Sequence, residues 1–369
     1  MITYVVPTRN RPDVLRETLR GIEALGDHAK AGGAEIIVVD NASDPAARVP
    51  KALSNGVTID LVRRTQNEGA AARNVAALHA DPASDWIVML DDDSHPLDLN
   101  FVESLRRQPR DVGAVSADIF LGASRDAIAG REQGGLPEVF IGCGVAFRRS
   151  LFVALGGYDH RFNYYAEEYD LAARMLLAGY RVVFDPSFRV LHRKVTAGRD
   201  MNTILGRLVR NNGWVMQRYA PENARREQLR AMRRRYRAIA GKENAIGGFG
   251  AGLRELRATL PEQERTPMSE ELWRRFTGQA AAREGLAWNL SLRGVRTAAL
   301  IAEGKNATEI RAAMHELGIA ETSEARAEAL VVGTLSPGPM LDALDQFAHN
   351  PRVFAPLKRE GTSTLLAAA

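Results

Sequence analysis

The sequence predicts an α/β fold: a mixed, mostly parallel sheet with helices on both faces, then a helical region, then a small α/β unit. Three observations predict it. Over the first ~200 residues, β-rich apolar runs alternate with segments of helical periodicity. Three of those runs end at a polar cluster, Thr8-Arg9-Asn10, Asp40-Asn41 and Asp91-Asp92-Asp93. Ligands bind beyond the carboxyl ends of strands in sheets of this kind. Past residue 200 the composition changes twice, first to an Arg-rich helical stretch and then to a second strand-helix alternation.

The elements follow in order. Ile2–Val6 reads as a buried strand ending at Pro7, and Leu15, Leu19, Ile22 and Leu25 line one face of a helix that Pro12 can open. Glu35–Val39 and Ile59–Arg63 are strands, Gly69–Ala80 is an Ala-rich helix, and Trp86–Leu90 is a strand that delivers the aspartate triplet. A helix from Leu97 to Arg107 and a strand from Gly113 to Ala117 come next, and Val182–Phe184 and Phe188–Leu191 read as two further strands. Residues 201–290 are mostly helical, with a turn-like break at Gly247-Gly248. In the last segment, strands Arg296–Ala302, Leu330–Val332 and Arg352–Ala355 alternate with two helices, one capped by Asn306 and one opened by Ser336-Pro337. The expected domains are therefore 1–215, an Arg-rich helical region 216–295, and a small α/β domain 296–369.

Composition narrows the function classes. With 45% hydrophobic and 25% charged residues the chain has globular proportions, which exclude collagen, coiled-coil and globally disordered readings. The longest uncharged apolar stretches are strand-length, short of the ~20 residues a membrane helix needs. Met1–Pro7 lacks the features of a signal peptide, and Cys143 is the only cysteine, so a cytoplasmic location is expected. The formal net charge of +4 hides an asymmetry: residues 199–242 hold 12 basic and 3 acidic side chains, and the rest of the chain has a net charge of −5. Such a run is either a solvated face or a contact for an anionic partner; a membrane surface at its inner face is favoured, because no nucleic-acid motif accompanies the charge.

The carboxylates carry the chemistry. Three consecutive aspartates repel one another and raise each other's pKa, a cost that a hard divalent cation such as Mg²⁺ or Mn²⁺ removes. The triplet alone is equally well read as a helix cap with solvated neighbours. A second acidic group, Glu167-Glu168-Tyr169-Asp170, precedes a helix on which Arg174 can pair with Asp170, and His192 ends a strand. Cys143, between two glycines, reads as a small packed residue.

Taken together, these motifs resemble family 2 glycosyltransferases of the GT-A fold over residues 2 to about 215. Val5-Val6-Pro7-Thr8-Arg9-Asn10-Arg11, Val38-Val39-Asp40-Asn41-Ala42-Ser43-Asp44, Asn67-Glu68-Gly69 with Arg73-Asn74, Leu90-Asp91-Asp92-Asp93, Gly156-Gly157-Tyr158-Asp159 and Glu167-Glu168-Tyr169-Asp170-Leu171 stand in the family's order, followed by His192 and Arg210-Asn211. The resemblance implies an inverting, metal-dependent transfer of a sugar from a nucleotide-diphosphate donor, UDP or dTDP, to an acceptor hydroxyl of a sugar, glycolipid or small molecule. It implies that Thr8, Arg9, Asn10, Asp40, Asn67, Arg73, Asp91 and Asp92 hold the donor, and that Asp91, Asp93 and His192 hold Mg²⁺ or Mn²⁺. The family usually carries Glu-Asp where this chain has Glu167-Glu168. Glu168 is the expected base, with Glu167 and Asp170 as the alternatives. A non-catalytic nucleotide-sugar-binding or scaffold protein is the competing reading; a sugar nucleotidylyltransferase is disfavoured, because Thr8-Arg9-Asn10-Arg11 contains no glycine. Homo-oligomerisation is left open.

Overall fold

A computed structural model describes residues 1–194 and 200–358. The chain divides into two units, the first formed by residues 1–129 and 139–273, the second by residues 130–138 and 274–369. The boundaries expected at 215 and 295 fall elsewhere: the helical stretch is shared between the units at Trp273, and the second unit takes in a short excursion at residues 130–138.

The first unit runs β1 (Ile2–Thr8), α1 (Pro12–Glu23), β2 (Ala34–Asn41), β3 (Thr58–Arg64), α2 (Arg73–His79), β4 (Trp86–Met89), β5 (Ser94–Pro96), α3 (Asn100–Arg107) and β6 (Val112–Gly122), with β7 (Ile128–Arg131) crossing the boundary to the second unit. It continues through β8 (Val145–Arg148), α4 (Arg149–Ala154), α5 (Glu167–Leu177), β9 (Arg181–His192), α6 (Met201–Tyr219), α7 (Arg225–Lys242) and α8 (Ile246–Thr259). The strand order β3-β2-β1-β4-β8-β6-β9-β5 is mixed. β1, β2, β3 and β4 are parallel, β8 is antiparallel to both neighbours, and β5 is antiparallel to β9. Tyr4, Val5 and Val6 are fully buried, as a central strand covered on both faces requires. Leu15, Leu19 and Ile22 of α1 are buried at helical spacing, and Pro12 occupies its first turn.

Several expectations shift. The two strands expected at 182–191 are one long strand, whose register against β6 slips between Ala117 and Asp118. Beyond the slip, residues 190–192 of β9 pair with β5, and Ser94 faces His192. Gly247-Gly248 is no break. Both lie inside α8, where Gly248 and Gly252 face α6 so closely that a Cβ would collide with the backbone of Asn202 or Gly206. Glycine is needed there for the approach of two helix backbones.

The second unit contains α10 (Gln279–Asn289), β10 (Thr297–Ile301), α11 (Ala307–Glu316), β11 (Ala320–Glu321), β12 (Ala329–Val332), α12 (Pro337–Gln346) and β13 (Val353–Phe354), preceded across the boundary by α9 (Glu270–Thr277). Its sheet is parallel in the order β11-β10-β12-β13. The excursion is fastened by Arg131 to Asp342 (2.8 Å) and by Arg275 to Glu138 (2.7 Å). The expected side-chain caps are absent: Asn306 is left-handed (φ 58°) and donates to the Thr277 carbonyl, while Ser336 donates to the Gly134 carbonyl.

Candidate active site

A cleft of about 470 Å³ opens where β1, β2 and β4 end. Thr8, Arg9, Asn10, Asn67, Arg73, Asp91 and Asp92 line it, so seven of the expected donor residues come together. Asp40 does not join them. It is fully buried, and its two oxygens accept the backbone N–H groups of Ser43 (2.9 Å) and Ala47 (3.0 Å), which shape the loop after β2. Asn41 takes its place at the cleft: its amide donates to Asn67 Oδ1 (2.9 Å), and its oxygen accepts the N–H of Glu68 (2.8 Å). Sequence reasoning also missed Arg207 and gave Arg11 no specific role; both line the cleft, as does Tyr164, for which sugar stacking and core packing were equal readings. Arg207 stands 5.5 Å from the Tyr164 ring, and nothing but its place in a charge run marked it.

The aspartate triplet is held by cations of the chain itself. Arg73, buried beside it, pairs with Asp91 and donates to the Leu90 carbonyl (3.2 Å). Arg11 bridges Asp92 (2.7 Å) and Asp93 (2.9 Å), and Thr8 donates to Asp92 (2.9 Å). Burial pushes the Asp92 carboxyl up to about 7, against the opposing charge of Arg11. Asp93 also lies 3.3 Å from His192 Nε2. On the other side of the imidazole, Nδ1 is 3.6 Å from the Cys143 sulfur. Donor atoms of Asp91, Cys143 and His192 lie within 4.8 Å of one another, so the cysteine that the sequence reads as packing stands among potential metal ligands.

The second acidic group divides by role. Glu167 and Glu168 open α5, rather than preceding it as expected. Glu168 is partly exposed and lies against Gly142, its Oε1 3.4 Å from where a Cβ on that residue would sit. Glu167 is buried, and among the described residues its Oε2 has no hydrogen-bond partner. Desolvation, and then the neighbouring Glu168, hold its carboxyl well above the ordinary range. Asp170 is fully buried and points away from any acceptor role. It accepts from Arg174 (2.9 Å), Arg218 (2.7 Å) and Tyr219 (2.6 Å), and so serves as an anchor for α5 and α6.

The loop ahead of α5 is held in an unusual conformation. Asn163, Tyr165 and Ala166 all have positive φ (62°, 73° and 65°), each at a cost of about 1–2 kcal/mol for a residue with a Cβ. Asn211 compensates: its side-chain amide donates to the carbonyls of Phe162 (3.0 Å), Tyr164 (2.9 Å) and Tyr165 (2.6 Å). From the other side the Asn163 carbonyl accepts the N–H of Ala70 (2.7 Å), which ties this loop to the Asn67-Glu68-Gly69 turn.

A mixed sheet with a polar cleft at its strand ends, a carboxylate triplet and a second acidic group at a helix start defines a GT-A core. Residues 3–128, about a third of the chain, match the family described as glycosyl transferase family 2. Over 54 residues it is 46% identical to the N-acetylglucosaminyl-diphospho-decaprenol L-rhamnosyltransferase of Mycobacterium tuberculosis, a stretch covering 14% of this chain and 18% of that protein. It is 26% identical over 231 residues to the O-antigen biosynthesis protein RfbC of Myxococcus xanthus, covering 54% of this chain and 18% of that protein. The matched stretches thus span less than a fifth of the length of either relative. Among solved structures, GalNAc-T7 with UDP, GalNAc and Mn²⁺ is similar with a TM-score of 0.49 and 16% identity, covering 71% of this chain and 57% of that one. Mannosyltransferase PcManGT from Pyrobaculum calidifontis, in complex with GDP-Man and Mn²⁺, has a TM-score of 0.43 and 18% identity, covering 86% of each chain.

Proposed function

We propose that the protein is an inverting, metal-dependent glycosyltransferase that moves a sugar from a UDP or dTDP donor to an acceptor hydroxyl in glycan, glycolipid or natural-product synthesis. The observation that carries this is one juxtaposition: a cleft lined by Arg9, Arg11, Arg73 and Arg207 has Asp91 at its edge, beside the Cys143 and His192 donors, and Glu168 lies against Gly142 in the same loop as Cys143.

The arginines match the charge of a diphosphate, and Arg73 is pre-positioned by its pairing with Asp91. The donor set around Asp91 suits a divalent cation, which when bound supplies further positive charge where the leaving diphosphate gathers electrons. Glu168 takes the proton of the acceptor hydroxyl as its oxygen bonds to the anomeric carbon; the bond from that carbon to the phosphate oxygen breaks, and its electron pair leaves with the diphosphate. Burial raises the Glu167 carboxyl, which disfavours a second negative charge beside Glu168. Asp159 and Asp170, both bonded to Arg218, fix the frame from behind.

The basic helix α7 supports a second feature of this reading, contact with an anionic membrane that carries the acceptor. Arg226, Arg230, Arg234 and Arg237 are exposed at helical spacing on α7. The available charge is smaller than the sequence count, because Arg210 and Arg218 are engaged in internal bonds and Arg199 lies outside the described residues. Among the described residues no helix is long and apolar enough to cross a membrane.

A thermal-shift panel of UDP-, dTDP- and GDP-sugars, with and without Mn²⁺, tests the donor reading. The true donor raises the melting temperature through ligand linkage. Absence of a shift with every nucleotide sugar overturns the assignment.

A further inference from the structure

The loop before β8, the end of β4 and the end of β9 bring three donor chemistries to one place. An oxygen of Asp91, the sulfur of Cys143 and a ring nitrogen of His192 lie within 4.8 Å of one another. Cys143 and His192 are 4% and 8% exposed, so both have been taken out of water where they meet, Nδ1 to Sγ, at 3.6 Å. The opposite ring nitrogen, Nε2, faces the Asp93 carboxylate at 3.3 Å, and Asp93 is itself held by Arg11 at 2.9 Å. A carboxylate at Nε2 keeps the ring proton on that side and leaves the Nδ1 lone pair on the sulfur side. A metal-binding imidazole is oriented in this way, its far N–H given to a carboxylate. Ser94 fixes the frame: its Oγ accepts the N–H of Asp91 (2.8 Å) and donates to the Cys143 carbonyl (3.0 Å).

From this geometry we infer that the cation site, which meets the cleft at Asp91, is a mixed oxygen, nitrogen and sulfur site. Asp91, His192 Nδ1 and the Cys143 thiolate are its ligands, Asp93 positions His192 without touching the cation, and the site takes Zn²⁺ or Co²⁺ in preference to Mg²⁺. The inference rests on the reading of the cleft as the donor site of a metal-dependent transferase, and it reassigns two residues, since the family resemblance implies Asp93 at the metal and Cys143 reads as a packed residue. Mg²⁺ demands an octahedron of oxygens, whereas imidazole and thiolate suit Zn²⁺ and its first-row neighbours. With bonds of about 2.0–2.3 Å, a cation would draw the three donors inward by roughly an ångström. The thiol proton passes to solvent as the sulfur–metal bond forms. Asp91 shares its charge with Arg73, so the thiolate supplies the second negative charge a divalent ion needs.

The test is a Co²⁺ titration of the full chain, followed by absorption spectroscopy and calorimetry, with UDP and dTDP binding measured in parallel. Expected are a near-ultraviolet thiolate-to-cobalt charge-transfer band in the parent protein and its loss in Cys143→Ser and Cys143→Ala. Asp93→Asn should keep the band and weaken Co²⁺ about 10–100-fold, the range for removal of a ligand's orienting partner. Zn²⁺ should displace Co²⁺ at concentrations where Mg²⁺ does not. Co²⁺ bound without the band, equal affinity in Cys143→Ala, or displacement by Mg²⁺ as readily as by Zn²⁺ overturns the inference, as does absence of Co²⁺ binding with or without nucleotide. In all four outcomes a nucleotide that still binds leaves the donor reading standing; only failure of nucleotide binding overturns that.

Discussion

Glu168 lies against Gly142: its Oε1 stands 3.4 Å from the point a Cβ on residue 142 would occupy. Glu168 is thus the acidic side chain of its group that is partly exposed beside the cation ligands, while Glu167 is buried and Asp170 is fully bonded. Glu168→Gln is expected to reduce kcat about 10²–10⁴-fold, the usual contribution of a general base, with donor affinity unchanged by calorimetry. Glu167→Gln, at a buried side chain, should cost far less. The reverse ranking in an initial-rate assay would move the base to Glu167.

Asp170 is expected to act on stability rather than on proton transfer. It is fully buried between Arg174 and Arg218, so Asp170→Ala leaves two guanidinium groups short of a partner. Breaking a buried pair from one side costs about 3–5 kcal/mol, a loss that urea unfolding will resolve. The same node carries a pH dependence. Burial pushes the Asp159 carboxyl up, but hydrogen bonds from Arg161 and the charge of Arg218 outweigh it and hold the group below the ordinary carboxylate range. A depressed carboxylate contributes stability that is present above its unfolded pKa, about 3.9, and lost as pH falls toward the folded value. Asp159→Asn should therefore flatten the acid limb of the stability profile.

What the sequence made legible was local. Strand ends at Thr8, Asn41 and Asp91 follow from apolar runs that stop at polar clusters, and the sheet then gathers them at one edge. Arg174 was paired with Asp170 correctly because four residues on a helix fix the geometry. Arg218 was not paired with it, because 48 residues, including the whole of β9, separate them and no periodicity spans that distance. Cys143 was read by its burial, which is correct, but burial alone could not tell that His192 lies beside it; that needs the β5–β9 register. Likewise residues 130–138 carry no mark in the sequence that they belong with the C-terminal unit, since Arg131–Asp342 is a contact across more than half the chain.

Asn211 is expected to behave as a positioning residue. One side-chain amide serves three carbonyls of a loop with three left-handed residues, and that loop delivers Glu167 and Glu168. Asn211→Ala should cost about 2 kcal/mol in stability, from hydrogen bonds lost at buried or half-buried carbonyls. It should also lower kcat roughly tenfold or more, because the base is displaced, while KM for the donor changes little. A KM effect as large as the kcat effect would place the loop in donor binding instead.

The α6–α8 contact gives a paired test in which propensity and packing oppose each other. Alanine is favoured over glycine in a helix by about 1 kcal/mol, so every glycine in α8 is a candidate for stabilisation by that measure. Gly250 is open to the change: a Cβ there would meet nothing nearer than Arg254 Nη1 at 3.7 Å. Gly250→Ala should therefore gain most of that preference. At Gly248 and Gly252 a Cβ would run into the backbone of Asn202 and Gly206, and backbone cannot swing aside as a side chain does. The helices must separate, which costs about 1–3 kcal/mol and also strains the bond from the N–H of Gly248 to Asn202 Oδ1 (2.8 Å). Packing outweighs propensity at those two positions, so Gly248→Ala and Gly252→Ala should both lower the urea midpoint while Gly250→Ala raises it. A rise in all three would mean that the helices do not meet through these glycines.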